Sequence, residues 1–526
     1  MKTMPHTCHC SCCHLNHNPQ PALDALNRRE FLFRVGAATA GGMMLSGLDV
    51  LAGDDSPGLP IRGPKPSQAL RVQPVLTYDI AQRRPHTSWR NWGGLHTEED
   101  VAAEKGRIEA ELEKLKSKSD FGIEFLPLAS VKSPEQAAAI SRDKYDALIV
   151  YAAGGGGNLL EALISPAKWN LMFLRHDPGP VYLWYEIVHP RFLRKTVDEY
   201  APTGLDVHDV VVDEVNELGW RLRALHGLKN TLGKRILCIG GAGGWGAGGQ
   251  KAPEISRTLW KLDLVDLPYK DLEPRLKAAR GNASLVKACG AAASRYLKGG
   301  KISLHTTREF VNNAFVLTEV MKDIMDDAKT DALTIQHCMG TIMGMSETTA
   351  CLPLSMLNDA GYLAFCESDF VVIPSGILLH YISGKPVFLN DPTFPHQDVV
   401  TLAHCTAPRK MDGKKAEKTK LLTHFESDYG AAPKVEMRIG QVCTNLVPDF
   451  DCKKWVGFEG TIVGNPFLDI CRSQVDVKVK GDCNALLEEM KGFHWMMSYG
   501  NYMRETGYAL RKLGVGFHDV SAPTKA

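Results

Sequence analysis

Beyond residue 70 short apolar runs alternate with amphipathic segments, a rhythm that predicts an α/β chain. In DALIVYAAGGGGNLLEALI, Leu148 to Tyr151 read as a strand, Gly154 to Gly157 as a sharp turn, and Asn158 onward as a helix. VHDVVVDEVNELGWRLRALHGL predicts a long helix over 207–228, and KRILCIGGAGGWGAGG a strand at 235–239 running into a glycine loop. Residues 307–328 have helical periodicity, and DALTIQHC reads as the next strand. From about residue 370 the texture changes. KVEMRI, WVGFEGTIV and SQVDVKVK alternate with period two, the mark of a mainly antiparallel region, and a last helix at 499–513 closes the chain. The expected organisation is an N-terminal α/β domain (71–232), a second α/β domain (233–365), and a β-rich C-terminal domain (366–526).

One run resists this reading. GYLAFCESDFVV sets Glu367 and Asp369 inside an apolar strand pattern bounded by Gly361 and Pro374. Buried carboxylates are costly unless a cation or several donors receive them. Either the two stand where a strand opens into a site, or the strand assignment fails.

Composition adds bounds. The 526 residues are 44% hydrophobic and 23% charged, ordinary values for a chain of two or three domains. A formal net charge of +1 gives no field to attract nucleic acid or an acidic membrane. No apolar stretch after residue 55 is long enough to span a bilayer. Before it, Asn27-Arg28-Arg29-Glu30-Phe31-Leu32 precedes the weakly apolar VGAATAGGMMLSGLDVLA, which reads as a twin-arginine signal (1–52), with 53–70 as linker. A helical N-terminal arm is the alternative. The signal implies export in the folded state to the periplasm or beyond, which favours a protein carrying a cofactor.

Ten of the fourteen cysteines lie beyond residue 230 with no CxxC pair, so buried free thiols are expected rather than a disulfide framework. The other four sit with histidines in HTCHCSCCHLNHN (6–18), a dense set of soft ligands that signal cleavage would remove.

Two glycine turns invite ligands. Gly154 and Gly155 open a helix after a strand, where either a plain turn or a hydroxyl-binding cradle fits. Gly241, Gly243 and Gly246 satisfy GxGxxG spacing with Asp266 twenty residues on, the dinucleotide pattern. Pro253 interrupts the helix that should receive the pyrophosphate, so a loop over a site, with Gly243 and Gly244 near substrate, is the competing reading. Polar islands then follow in apolar surroundings: Glu367 and Asp369, Asn390-Asp391-Pro392, Ala403-His404-Cys405, and Gly492-Phe493-His494-Trp495. Carboxylates with an imidazole suit a hard divalent ion, although a single such histidine is more often a core residue.

In order and wording, DALTIQHC, TTACLPLSMLNDAGYLAFCESD, SGKPVFLNDP, AHC, HFESDYG and HWMMSYGNY resemble the L-fucose isomerase-like proteins, over about residues 205 to 515. The resemblance implies two Rossmann-like α/β domains, a β-rich C-terminal domain, homo-oligomers and a divalent metal, typically manganese. It implies Asp369 and His494 as metal ligands and Glu367 as a ligand or close neighbour. Asp391 and His404 are expected near a monosaccharide, and a carboxylate is expected to interconvert aldose and ketose through an enediol. Where these isomerases have a further catalytic glutamate, this chain has Cys351. Glu347 stands four residues earlier and is expected one helical turn away on the same side. Altered activity, a sugar-binding relative without catalysis, and a nicotinamide-dependent sugar oxidoreductase remain the alternatives.

Overall fold

The computed structural model describes residues 59, 62–182 and 204–523. The signal, the Cys/His-rich segment and the first part of the linker lie outside them. Helix and strand are mixed, at 37% and 24%, in parallel sheets and a closed antiparallel barrel.

The first sheet has six strands, all parallel. Ile123–Phe125, Leu70–Thr77, Ala147–Ala152, Trp169–Leu174 and Val210–Val212 lie in that order, and Ala129–Val131 also joins Leu70–Thr77. Every residue of Ala147–Ala152 is buried, as expected for a strand covered on both faces. The second sheet is parallel too: Leu363–Cys366, Ala332–Ile335, Arg235–Ile239 and Asp263–Leu267. A small sheet joins Ala432–Glu436, Lys418–Leu422 and Ile302–Leu304.

The period-two segments close on themselves. Val442–Val447, Trp495–Tyr499, Phe388–Pro392, Val399–His404, Ser473–Val479 and Lys454–Gly464 pair antiparallel in turn, and the last returns to the first. Closure leaves these strands no open edge in the ring.

Three sequence expectations change. The helix expected at 207–228 begins only at Val215. Val210–Val212 is instead an edge strand, favoured by three β-branched residues and ended by Asp213 at φ 59°. The final helix is Met503–Lys512, and strand Gly516–Asp519 follows it to pair parallel with Lys454–Gly464. The apolar run after Asp369 is no strand: Ile373–Ser383 is a helix buried on nearly all sides. It packs so closely on Val215–Thr231 that a Cβ at Gly227 would lie 2.5 Å from Ile382 Cγ1.

That helix contact also buries His226, whose Nδ1 lies 3.3 Å from the Tyr381 carbonyl. Burial, helped by Arg223 and Lys229, lowers its pKa from 6.5 to about 4. Between those values the unfolded chain binds a proton that the folded chain refuses, so stability is lost as pH falls through the window. The loss approaches about 3 kcal/mol at its lower end. Asp359, raised by burial to about 6, runs the other way. His226→Gln should therefore shrink the drop in urea midpoint between pH 7 and pH 4.5; an unchanged drop would show that His226 titrates normally.

Candidate metal centre

Strand Leu363–Cys366 ends at Cys366, and the chain then turns left-handed at Glu367 (φ 63°) and Ser368 (φ 48°). Consecutive non-glycine residues in this region are costly, and such turns cluster at functional sites. The turn is clamped to the glycine loop. Gly243 donates to the Ser368 carbonyl at 3.2 Å, and Phe370 donates to the Gly243 carbonyl at 3.0 Å. The CESD carboxylates thus stand at the carboxyl end of a parallel strand, where open α/β sheets place their ligands.

The barrel brings the other donors. Asp391 lies on Phe388–Pro392, opposite Ala403, so His404 is beside it at the end of the next strand. His494 directly precedes Trp495–Tyr499, whose Trp495 is paired with Asn390. Two β-ladder registers therefore bring together three side chains that are far apart in sequence.

Asp369 accepts from the backbone N–H groups of Trp245 and Val371 on Oδ1, both at 3.1 Å, and from His494 Nδ1 on Oδ2 at 2.8 Å. Nε2 of His494 then faces Glu367 Oε2 at 3.1 Å and Asp391 Oδ1 at 3.3 Å. All three atoms are buried, and none has a hydrogen-bond partner. His404 Nε2 lies 3.9 Å from Glu367 Oε1, while Thr406 Oγ1 lies 3.0 Å from its Nδ1. Asp391, His404 and His494 form one group whose ligand atoms all lie within 4.8 Å of one another, and Cys366, Glu367 and His404 form another.

Orphaned, converging oxygen and imidazole donors fit a divalent ion: the residues could hold one, and the hard and borderline character of the set suits manganese, magnesium or zinc. The same carboxylates also draw a proton to His494, which an ion at Nε2 would have to displace. Burial works against charge on His494, but Glu367, Asp369 and Asp391 hold its proton well above the usual imidazole range. Burial would raise Glu367, yet the same imidazolium brings it down to about 2. Burial raises Asp391 to about 7 and lowers His404 to about 4.

The expected site residues divide. Glu367, Asp369, Asp391, His404 and His494 come together. Asp369 stands behind His494 as its hydrogen-bond acceptor rather than in either ligand group, the usual outer partner of a metal-binding histidine. Gly243 is strand-paired with Asp369, and Gly244 is folded against Gly249 in the same loop. The amides of Gly243 and Trp245 are spent on Ser368 and Asp369 rather than left for a pyrophosphate.

Gly154 and Gly155 lie in the turn after strand Ala147–Ala152, and their nearest neighbours are Tyr78, Asp79 and Leu159, none of them a site residue. Glu347 is not on a helix with Cys351. It is left-handed (φ 51°) between two helices, and its half-exposed carboxylate pairs with Arg280. The one-turn relation fails because the helix stops at Ser346 and restarts at Cys351. Cys351 is buried with Cys405 and Cys471 instead of joining the carboxylates.

Sequence reasoning missed Trp245 and Phe493. Their rings stack with centroids 4.1 Å apart, and both stand edge-on to His494. It also missed His424, which acts electrostatically on Glu367. The HFESDYG island carried that signal. No family model matches the chain, and no curated protein matches it in sequence.

Proposed function

We propose that this chain is a divalent-metal-dependent enzyme of the L-fucose isomerase-like kind. On this reading it has two Rossmann-like domains and a β-rich C-terminal domain, is exported by the twin-arginine route, and acts as a homo-oligomer on a free monosaccharide. The observation that supports it is the convergence of Glu367, Asp391 and His494 through atoms that no hydrogen bond satisfies, with His404 beside them.

Asp391, His404 and His494 would hold the ion, with manganese the expected one. Bound there, it supplies charge that polarises adjacent oxygens of an open-chain sugar. The chain's own residues do the rest. Asp369 fixes His494 by accepting from Nδ1, which leaves Nε2 as the ligand atom. Glu367 lies beside the group with its carboxylate partly exposed, and it carries a proton between C1 and C2 of the sugar through an enediol. Cys351 and Glu347 take no part. Trp245 and Phe493 form an apolar wall that keeps water from His494.

Elemental analysis of desalted protein tests the reading, followed by an aldose–ketose panel. About one divalent ion per chain, lost in Asp391→Asn/His404→Gln, together with turnover of an aldose, is the expected result. Protein that stays metal-free after manganese incubation overturns it. Sugar affinity without turnover would identify a binding protein instead.

A further inference from the structure

Two lysines face each other in the small three-stranded sheet. Lys420, on Lys418–Leu422, is the direct antiparallel partner of Lys434, on Ala432–Glu436. On its other side Lys420 is in parallel register with Ser303 of Ile302–Leu304. Residues paired across strands project to the same face, so Lys434, Lys420 and Ser303 form a row across the sheet. His305 extends the row, with Nε2 3.0 Å from Ser303 Oγ.

Lys434 is only 1% exposed, and its Nζ is buried without a hydrogen-bond partner. Among the described residues neither lysine has an ion-pair partner. Their shared neighbour is the ring of Phe467, whose centroid is 5.9 Å from Lys420 Nζ and 5.8 Å from Lys434 Nζ. Phe467 belongs to the loop between Lys454–Gly464 and Ser473–Val479. Gln474 ties that loop down, accepting from the Leu468 N–H and donating to the Leu468 and Cys471 carbonyls. The ring itself is 54% exposed, so a side-chain rotation uncovers the amines without disturbing the core.

Packing alone does not account for this arrangement. Like charges directly opposite each other repel, and a buried ammonium without a hydrogen-bonded partner is costly. One aromatic ring shared by two cations offsets that cost only weakly. Glu436 and Asp476 act on Lys434 from a distance, and Asp476 is already engaged, accepting from Thr401 Oγ1 at 2.6 Å. What the row lacks is negative charge with several acceptor atoms. A tetrahedral oxyanion supplies both, because each ammonium brings three donors and the serine a hydroxyl.

We propose that Lys420 and Lys434, with Ser303 beside them, bind a phosphate-type oxyanion, free or as the ester group of a small metabolite, at a site separate from the carboxylate–histidine centre. Phe467 turns outward to admit it, and the bound charge is what lets Lys434 stay protonated where it is buried.

The test is calorimetric titration of the full chain at neutral pH with inorganic phosphate and, in parallel, with glycerol phosphate. The expected result is binding of at least one probe, and the preference between them identifies the source of the group. Lys420→Met should weaken binding roughly tenfold or more, and Lys434→Met should abolish it. Lys418→Met, on the same face two residues away, should stay within roughly twofold of the parent. Asp391→Asn/His494→Ala should bind as the parent does. Phosphate should raise the urea midpoint of the parent and leave that of Lys434→Met unchanged, while circular dichroism shows each variant folded. Four results would overturn the proposal. They are no binding of either probe by the parent, parent-like binding by folded Lys434→Met, equal loss in Lys418→Met and Lys420→Met, which marks diffuse surface charge, and loss in Asp391→Asn/His494→Ala, which moves the anion to the other centre.

Discussion

Glu367→Gln protein is expected to retain its divalent ion and to lose aldose–ketose turnover by roughly 10²–10⁴-fold, the usual worth of a positioned general base. The reasoning rests on a division of labour in the cluster. Asp391, His404 and His494 could hold an ion without Glu367, whose partly exposed carboxylate is beside them. Glutamine preserves shape and hydrogen-bonding reach but cannot take a proton. Metal content and kcat, measured on the same preparation, separate the possibilities. If the ion leaves with the charge, Glu367 is a ligand and the proton must travel by Asp391. If turnover survives with the ion in place, Glu367 has no catalytic part.

The second large effect distinguishes a ligand from the residue that orients it. In Asp369→Asn the side-chain oxygen can still accept from Trp245 and Val371, but an amide NH₂ now faces His494 Nδ1. The imidazole must then accept at Nδ1 and carry its proton on Nε2, the atom needed for the metal. Affinity for manganese should fall by roughly 10–100-fold, and saturating metal should restore most of the activity. His494→Ala removes the ligand itself, and no manganese concentration should rescue it. Metal-binding curves paired with activity at saturating metal decide between the two. Equal, unrescued loss in both variants would make Asp369 a direct ligand.

What the sequence made legible follows how local each signal is. The strand at 235–239, the helix at 307–328 and the alternation of SQVDVKVK all appear where periodicity placed them, because burial on one or both faces writes itself into neighbouring residues. Glu367 and Asp369 were recognisable because two charges in an apolar run need a reason. The spatial grouping of Asp391, His404 and His494 was not derivable from spacing, since antiparallel register and barrel closure create it. Glu347 failed for a related cause. A helical-turn argument assumes the helix continues, and at Ser346 to Cys351 the backbone breaks. The run at 207–228 misled because VVV followed by a polar residue is compatible with both a buried helix face and a short edge strand.

Closure of the barrel has a consequence for the order in which the molecule can be made. Trp495–Tyr499 pairs with both Phe388–Pro392 and Val442–Val447, so until it is synthesised two earlier strands present bare edges and His494 does not yet exist as a donor. Neither centre-forming contact of Asp369, to the glycine loop and to His494, is local: the partners are 124 and 125 residues away. On the proposed reading, ion capture would therefore be a late event, available only to a chain already extended through Tyr499. An ion in place would then be in effect a certificate that the last strand of the ring has docked.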